Sequence, residues 1–325
     1  MPAVSLATLD GLKHEWNSLL QRSNSNTVFS TWEWHSAWSG AFGRDFETHL
    51  LAIRDSSRLI GIVPLVMRDG ALHLMGGQDV SDYLDVIAEQ GSEEQVLAAM
   101  LSHLCALKWD SLEMHFLRHT SPTLALLPKL ALQEGLVVTQ QVDEVCPSCA
   151  LPHDWEAYVN SLGKKERHEL RRKMRRLNAH DSRRWVAVSP ADESPDDLDD
   201  FFRLCRLSTR EKALFMDQKM EIFFRSAVAN LTPLGIVRLY FLELGGQRVS
   251  SAICFDQGQE LWLYNSGYDP AYSSLSVGLL LKAYCIQDAI EKRKTRFDFL
   301  RGAERYKYDL GGRDVPVFGL RIIPR

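Results

Sequence analysis

Late in the chain, a few residues have the types and spacing that group-transfer chemistry needs. Ser273, Ser276 and Gly278 fall where the chain enters a segment of helical period. Small residues at such a mouth let a ligand approach backbone N–H groups that have no intrahelical partner, which makes an anion site suited to phosphate. Asp298 ends a strand-like run and could take a proton, directly or through water; the alternative is a carboxylate fixed by Arg296 or Arg301. Tyr306 and Tyr308 are candidates to give a proton to a leaving group, and Lys307 to stabilise developing negative charge. The chain shows no Ser-His-Asp ordering and no Gly-x-Ser-x-Gly elbow, so covalent hydrolase chemistry is unsupported.

The elements that must position these groups can be read around them. Residues 261–265 alternate as a strand, 266–274 are rich in turn formers, and 275–292 carry Leu275, Leu279, Leu280, Ala283, Ile286 and Ile290 at three- and four-residue steps. A second strand is expected over 296–300, ending at Arg301 and Gly302. Strand, small-residue turn, helix and strand make a βαβ unit, so the two strands are expected to be parallel. Their splayed ends would offer backbone N–H groups to an oxyanion.

Earlier segments supply a framework and a second copy of it. A helix is expected over 8–22 and another within 27–38, capped by Ser30 or Thr31, with Trp34 and Trp38 on one face. The three tryptophans Trp32, Trp34 and Trp38 could stack a ligand, but packing is the commoner use of such faces. Strands are expected over 49–53, 59–66, 71–75 and 111–117, with a helix over 93–107; Pro64 argues for an edge or bulged position. An offset of 190 puts Arg58 on Arg248, Leu72 on Trp262 and Gly77 on Gly267; after the helix an offset of 185 puts Leu112 on Phe297. The same order of elements therefore occurs twice, which favours a tandem of two related α/β folds. A boundary near 150 divides the chain into 1–150 and 151–325. The copies differ where chemistry would sit. Asp79, Asp82 and Asp85 follow Gly77 and would repel a pyrophosphate, whereas serines follow Gly267. The second copy is therefore the expected donor site, and the first an acceptor or structural surface.

Between the copies lies a basic helix over 161–177 with Leu162, Leu170, Met174 and Leu177 as its apolar stripe. It is a solvated helix docked along that stripe, a phosphate clamp through Arg167 or Arg171, or a contact with tRNA phosphates. The acidic run at 191–200, with Asp192 and Glu193, suits a helix start at Pro195 and needs no function. Helices are expected over 196–213 and 217–230, and strands over 236–244 and 249–255.

Composition sets limits. The 325 residues are comfortable for two domains, and 45% apolar with 25% charged residues is a soluble globular mix. A net charge of −4 gives no bulk attraction to nucleic acid. No apolar run approaches a membrane span and the N-terminus lacks a signal pattern, so a cytoplasmic protein is expected. Six cysteines in so long a chain do not form a disulfide framework, and Cys146-x-x-Cys149 lacks a second ligand pair, so no metal is expected.

The order and types of residues from 237 to 325 resemble the acyl-donor half of the GNAT superfamily of N-acyltransferases. They are most similar to a bacterial branch carrying two GNAT-like folds in one chain. That branch includes CelD-like proteins of cellulose biosynthesis and is related to Fem-type aminoacyltransferases. The GNAT pyrophosphate pattern is Gln/Arg-x-x-Gly-x-Gly/Ala; here 273–278, Ser-Ser-Leu-Ser-Val-Gly, keep the spacing and only the last glycine. The resemblance implies mixed α/β sheets in a tandem pair of acyl-CoA N-acyltransferase folds. It implies acyl-CoA, acetyl-CoA in the simplest case, as donor, held by Asn265, Ser266, Gly267, Ser273, Ser276, Val277 and Gly278. The implied acceptor is a small amine such as an amino sugar or cell-envelope precursor, contacted by Tyr264, Arg301, Arg167, Arg171 and the Asp82-Tyr83 pair. For that pair, Asp82 as a cap and Tyr83 as packing is the alternative. The Tyr306-Lys307 pair after Gly302-x-Glu304 is similar to a motif of the two-fold branch. Two other readings stay open: a Fem-like transferase using aminoacyl-tRNA, and a non-catalytic GNAT-like binding module.

Overall fold

The computed structural model describes residues 2–180, 183–188 and 195–325; the acidic residues Asp192 and Glu193 lie outside them. The chain forms two compact units, Met1–Glu144 with Pro316–Arg325, and Val145–Val315.

The first unit contains β1 (Ala3–Leu6), α1 (Leu9–Leu20), α2 (Trp32–Phe42), β2 (Glu47–Asp55), β3 (Arg58–Arg68), β4 (Ala71–Leu74), β5 (Ile87–Ala88), α3 (Glu93–Leu104), β6 (Ser111–Arg118), α4 (Pro122–Gln133) and β7 (Val137–Val145). The second contains β8 (Ser148–Ala150), α5 (Trp155–Ser161), α6 (Lys164–Asn178), β9 (Arg183–Val188), α7 (Pro195–Ser208), α8 (Arg210–Phe215), α9 (Gln218–Leu231), β10 (Val237–Leu244), β11 (Gln247–Gln257), β12 (Glu260–Tyr268), α10 (Val277–Glu291), β13 (Arg296–Asp298) and α11 (Arg305–Asp309). The closing strand β14 (Pro316–Ile323) pairs antiparallel with β6 in the first unit's sheet, whereas the expected division at 150 kept it with the second. Its apolar residues Val317, Leu320 and Ile322 are buried there, with a register slip between Phe318 and Leu320.

The two units repeat one ladder. In the first, β2–β3 and β3–β4 are antiparallel and β4–β6 parallel; in the second, β10–β11 and β11–β12 are antiparallel and β12–β13 parallel. Leu72 faces Leu112 and Trp262 faces Asp298, so Leu112 answers to Asp298, one residue on from the expected Phe297. Along each unit's sheet the order is β1-β2-β3-β4-β6-β14-β7, with β5 on β3, and β8-β13-β12-β11-β10-β9.

Local chemistry explains where expectations shift. Pro64 is interior, not at an edge: β3 pairs β2 on one side, while on the other the ladder passes from β5 at Gly61 and Ile62 to β4 at Leu65. That handover leaves a position where a residue without an N–H costs little. Thr31, not Ser30, caps α2, its hydroxyl accepting from Trp34 N at 3.2 Å. The tryptophans are packing: Trp34 and Trp38 are buried, Trp34 Nε1 donates to Ser81 Oγ at 2.8 Å, and the half-buried Trp32 donates through Nε1 to Leu9 O at 2.9 Å. The helix expected over 196–213 breaks at Thr209, whose hydroxyl accepts from Lys212 N and starts α8 afresh. The helix expected from 275 begins at Val277, after a 3₁₀ turn Pro270–Leu275 and with Ser276 in the left-handed region.

Candidate active site

In the second unit the parallel strands β12 and β13 pair only over Glu260–Arg296, Leu261–Phe297 and Trp262–Asp298, and then part. At the same point the β11–β12 ladder slips by one residue, so that Ile253 faces Asn265 and Cys254 faces Leu263, with Tyr264 as the bulged residue. A cavity of about 280 Å³ lies where the strands diverge. Tyr264, Asn265 and Ser266 line it from β12; Arg301, Glu304, Tyr306 and Lys307 line it from beyond β13; Glu211, Lys212 and Phe215 line it from α8.

The loop after β13 is held by two of the expected residues. Leu300 has φ 55° and Gly302 φ 109°, so the chain turns through left-handed conformations that Leu adopts only under constraint. Buried Asp298 accepts from Leu300 N at 2.8 Å. Lys307, 1% exposed, donates to the carbonyls of Leu300 at 3.0 Å and Arg301 at 2.6 Å, and pairs with Glu304 at 2.9 Å. These are the three donors of an ammonium. Asp298 does not line the cavity; Lys307 does, with its nitrogen committed to the loop. On the β13 side the amides expected for an oxyanion are used within the chain: Phe299 N donates to Pro147 O and Gly302 N to Val145 O.

Tyr306 faces the cavity, and burial holds its phenol far above its ordinary pKa, so it stays a hydroxyl. Two lysines outside the set expected from the sequence complete the surroundings. Lys212 Nζ donates to the Ser266 carbonyl and, at 3.3 Å, to Asn265 Oδ1; burial pulls its pKa down. Lys282, 7% exposed on α10, donates to Gly278 O at 3.0 Å and lies 4.6 Å from the Tyr306 ring centre. Burial, then the neighbouring Lys212, lowers it to about 7. A signal for Lys282 was present, since it is the one charge in an apolar run from Val277 to Ile286. Lys212 offered none, because its position depends on the break at Thr209.

The expected donor turn is not part of this cavity's lining. Ser276, at φ 57°, precedes α10 without a side-chain cap, and the first turn of α10 holds no acidic residue. Arg176 of α6 donates to the Ser274 carbonyl at 2.8 Å, bringing a guanidinium beside the turn. Ser273 and Ser274 are exposed, while Val277 and Gly278 are buried. An uncapped helix start beside a guanidinium fits an anionic carrier. Gly278 has a further reason to be glycine: a Cβ there would sit 2.9 Å from the Tyr268 ring. Gly267 is likewise a packing glycine, since its Cβ would come 2.3 Å from Cys205 N. Arg167 and Arg171 are tied to α5, Arg167 to Asn160 O at 3.2 Å and Arg171 to Glu156 at 2.7 Å. In the first unit Asp82 and Tyr83 are buried, with Arg118 5.1 Å from the Tyr83 ring centre.

A family model described as an acetyltransferase (GNAT) domain matches residues 164–308. Among solved structures, FemX is similar over 99% of this chain and 97% of its own, at 11% identity and a TM-score of 0.65. The C-terminal domain (DUF2156) of a putative lysylphosphatidylglycerol synthetase from Agrobacterium fabrum matches over 98% and 93%, at 9% identity and 0.61. A tandem GNAT protein from the clavulanic acid biosynthesis pathway matches over 98% of both chains, at 11% identity and 0.54. No curated protein sequence matches the chain. Residues 164–308 thus match the model of a GNAT acetyltransferase domain, and the chain has the fold of a tandem pair of GNAT-like units.

Proposed function

We propose that the protein is an N-acyltransferase that moves an acyl group from acyl-CoA to an amine of an amino sugar or another cell-envelope or polysaccharide precursor. A place in the CelD-like branch and a cytoplasmic location belong to the same proposal. The observation that carries it is the cavity where β12 and β13 part, lined on one side by strand residues and on the other by Arg301, Glu304, Tyr306 and Lys307.

In this reading the amine nitrogen attacks the thioester carbonyl, a C–N bond forms, the C–S bond breaks, and the proton lost by the amine ends on the leaving sulfur. Tyr306, kept neutral by burial, donates a hydrogen bond to that sulfur. Asp298 and Lys307 hold the loop that aims Tyr306. Glu304, whose side chain is 58% exposed, takes the amine's proton and passes it through water to the departing sulfur. Ser273, Ser276 and Arg176 would hold the carrier's phosphates at the start of α10.

Calorimetric titration with acetyl-CoA tests the reading. Saturable binding is expected, weakened about tenfold or more in Ser276→Glu, which sets a carboxylate at the helix start. Wild type that binds no acetyl-CoA, or a Ser276→Glu variant that binds as well as wild type, would sink it. The basic face of α6 favours a second reading, transfer from aminoacyl-tRNA. Salt-sensitive tRNA binding, lost when Arg171, Arg172 and Arg175 become alanine, would support that donor instead.

A further inference from the structure

The cavity is surrounded by more positive charge, half-buried at Lys212 and buried at Lys282, than the chain answers. Lys307 is accounted for by two carbonyls and Glu304. Lys212 and Lys282 are not. Lys212 meets the Ser266 carbonyl and the Asn265 amide oxygen, and Lys282 meets the Gly278 carbonyl, all of them neutral. Among the described residues, the carboxylate that acts on both is Glu304, which Lys307 already holds. The other groups facing Lys282 are the thiols of Cys205 on α7 and Cys285 on α10, together with the Tyr306 ring. Burial pushes the Cys205 thiol up to about 12, so it brings no negative charge.

A buried cation is costly unless an anion faces it. Lysine can escape that cost by losing its proton, and Lys282 is drawn toward doing so near neutral pH. An anion entering the cavity would remove the need. Lys212, Arg301 and Lys307 line the wall it would meet, and about 280 Å³ accommodates a small acid.

We propose that the small-molecule acceptor carries an acidic group, a carboxylate or a phosphate, that binds against Lys212, with Lys282 behind it as a second positive charge. The word acceptor rests on the acyltransferase reading above; the anion site does not. Binding the anion stabilises the charged form of Lys282, so binding takes up a proton and tightens as pH falls.

The full chain is titrated by calorimetry with inorganic phosphate and with acetate at pH 6.5 and 8.5. Saturable binding is expected, at least tenfold weaker in Lys212→Gln and retained in Lys212→Arg; for acetate, whose charge is the same at both pH values, it is tighter at pH 6.5. In Lys282→Met the pH dependence of acetate binding is expected to vanish. That variant is also expected to melt no lower than wild type without anion, because an apolar side chain replaces an unanswered charge. A preference for phosphate or for acetate assigns the group. If neither anion saturates wild type, or if both variants bind like wild type, the proposal falls. A Lys212-dependent preference for succinyl-CoA over acetyl-CoA would give the acidic group to the donor and overturn the acceptor assignment. Anion binding without acetyl-CoA binding would remove the acyltransferase reading and leave the anion site standing.

Discussion

Replacing Lys307 separates a residue that holds the site from one that performs its chemistry. Lys307→Ala removes an ammonium that is 1% exposed and ends on two carbonyls and a carboxylate. The Leu300 carbonyl belongs to a buried residue at φ 55°, so it loses its partner where water has little access. Leaving such acceptors unmet costs about 1–3 kcal/mol each, and releasing the left-handed Leu300 returns about 1 kcal/mol of strain. A net loss of ~3 kcal/mol follows for the second unit, or roughly 6–12 °C in melting temperature for a unit of this size. The assay is urea unfolding followed by tryptophan fluorescence, paired with limited proteolysis across 299–304, where the slackened loop should become cleavable. Turnover should fall with the loop while the shape of its pH profile stays unchanged. A Lys307→Ala protein with wild-type stability and an uncut loop but no turnover would refute this and put Lys307 in the chemistry itself.

Two further outcomes follow from packing and burial elsewhere. Gly267→Ala is expected to destabilise the second unit by ~3 kcal/mol or more, because its Cβ would meet the α7 backbone at 2.3–2.4 Å. Gly278→Ala, which meets only a tyrosine ring, should cost less in the same unfolding assay. His35 is buried with no partner for Nδ1 among the described residues, and burial lowers its pKa from 6.5 to about 3. The unfolded chain then takes up a proton near pH 6.5 that the folded chain refuses until about 3. Stability should therefore drain as pH falls through that window, by up to ~5 kcal/mol. A His35→Leu variant should flatten this acid limb in unfolding curves taken from pH 7 to 4.

The sequence carried the repeated framework because a sheet core imposes it at every strand. Apolar alternation, the glycines at 77 and 267, and the three-and-four spacing of Leu279, Leu280, Ala283 and Ile286 are all local signals of buried faces. The site was legible in part. Tyr264, Asn265, Ser266, Arg301, Tyr306 and Lys307 do share one cavity. Asp298's bond to Leu300 N was hidden, because it depends on a left-handed leucine that no residue type announces. Lys212 was hidden for a related reason. Arg210, Glu211 and Lys212 read as a continuing solvated helix unless Thr209 is known to cap a new one. The destination of β14 was also beyond reach: Val317, Leu320 and Ile322 would suit either sheet, and only long-range pairing chooses between them.

That strand has a bearing on how the polypeptide is made. β14 lies between β6 and β7, yet it is synthesised only after all of Val145–Val315. On the ribosome, where domains ordinarily fold in order of emergence, the earlier unit must wait with a gap in its sheet while the later one, already whole, can fold first. Until Pro316–Ile323 emerge, the facing edges of β6 and β7 are exposed strand edges of the kind that chaperones shield and that aggregates recruit.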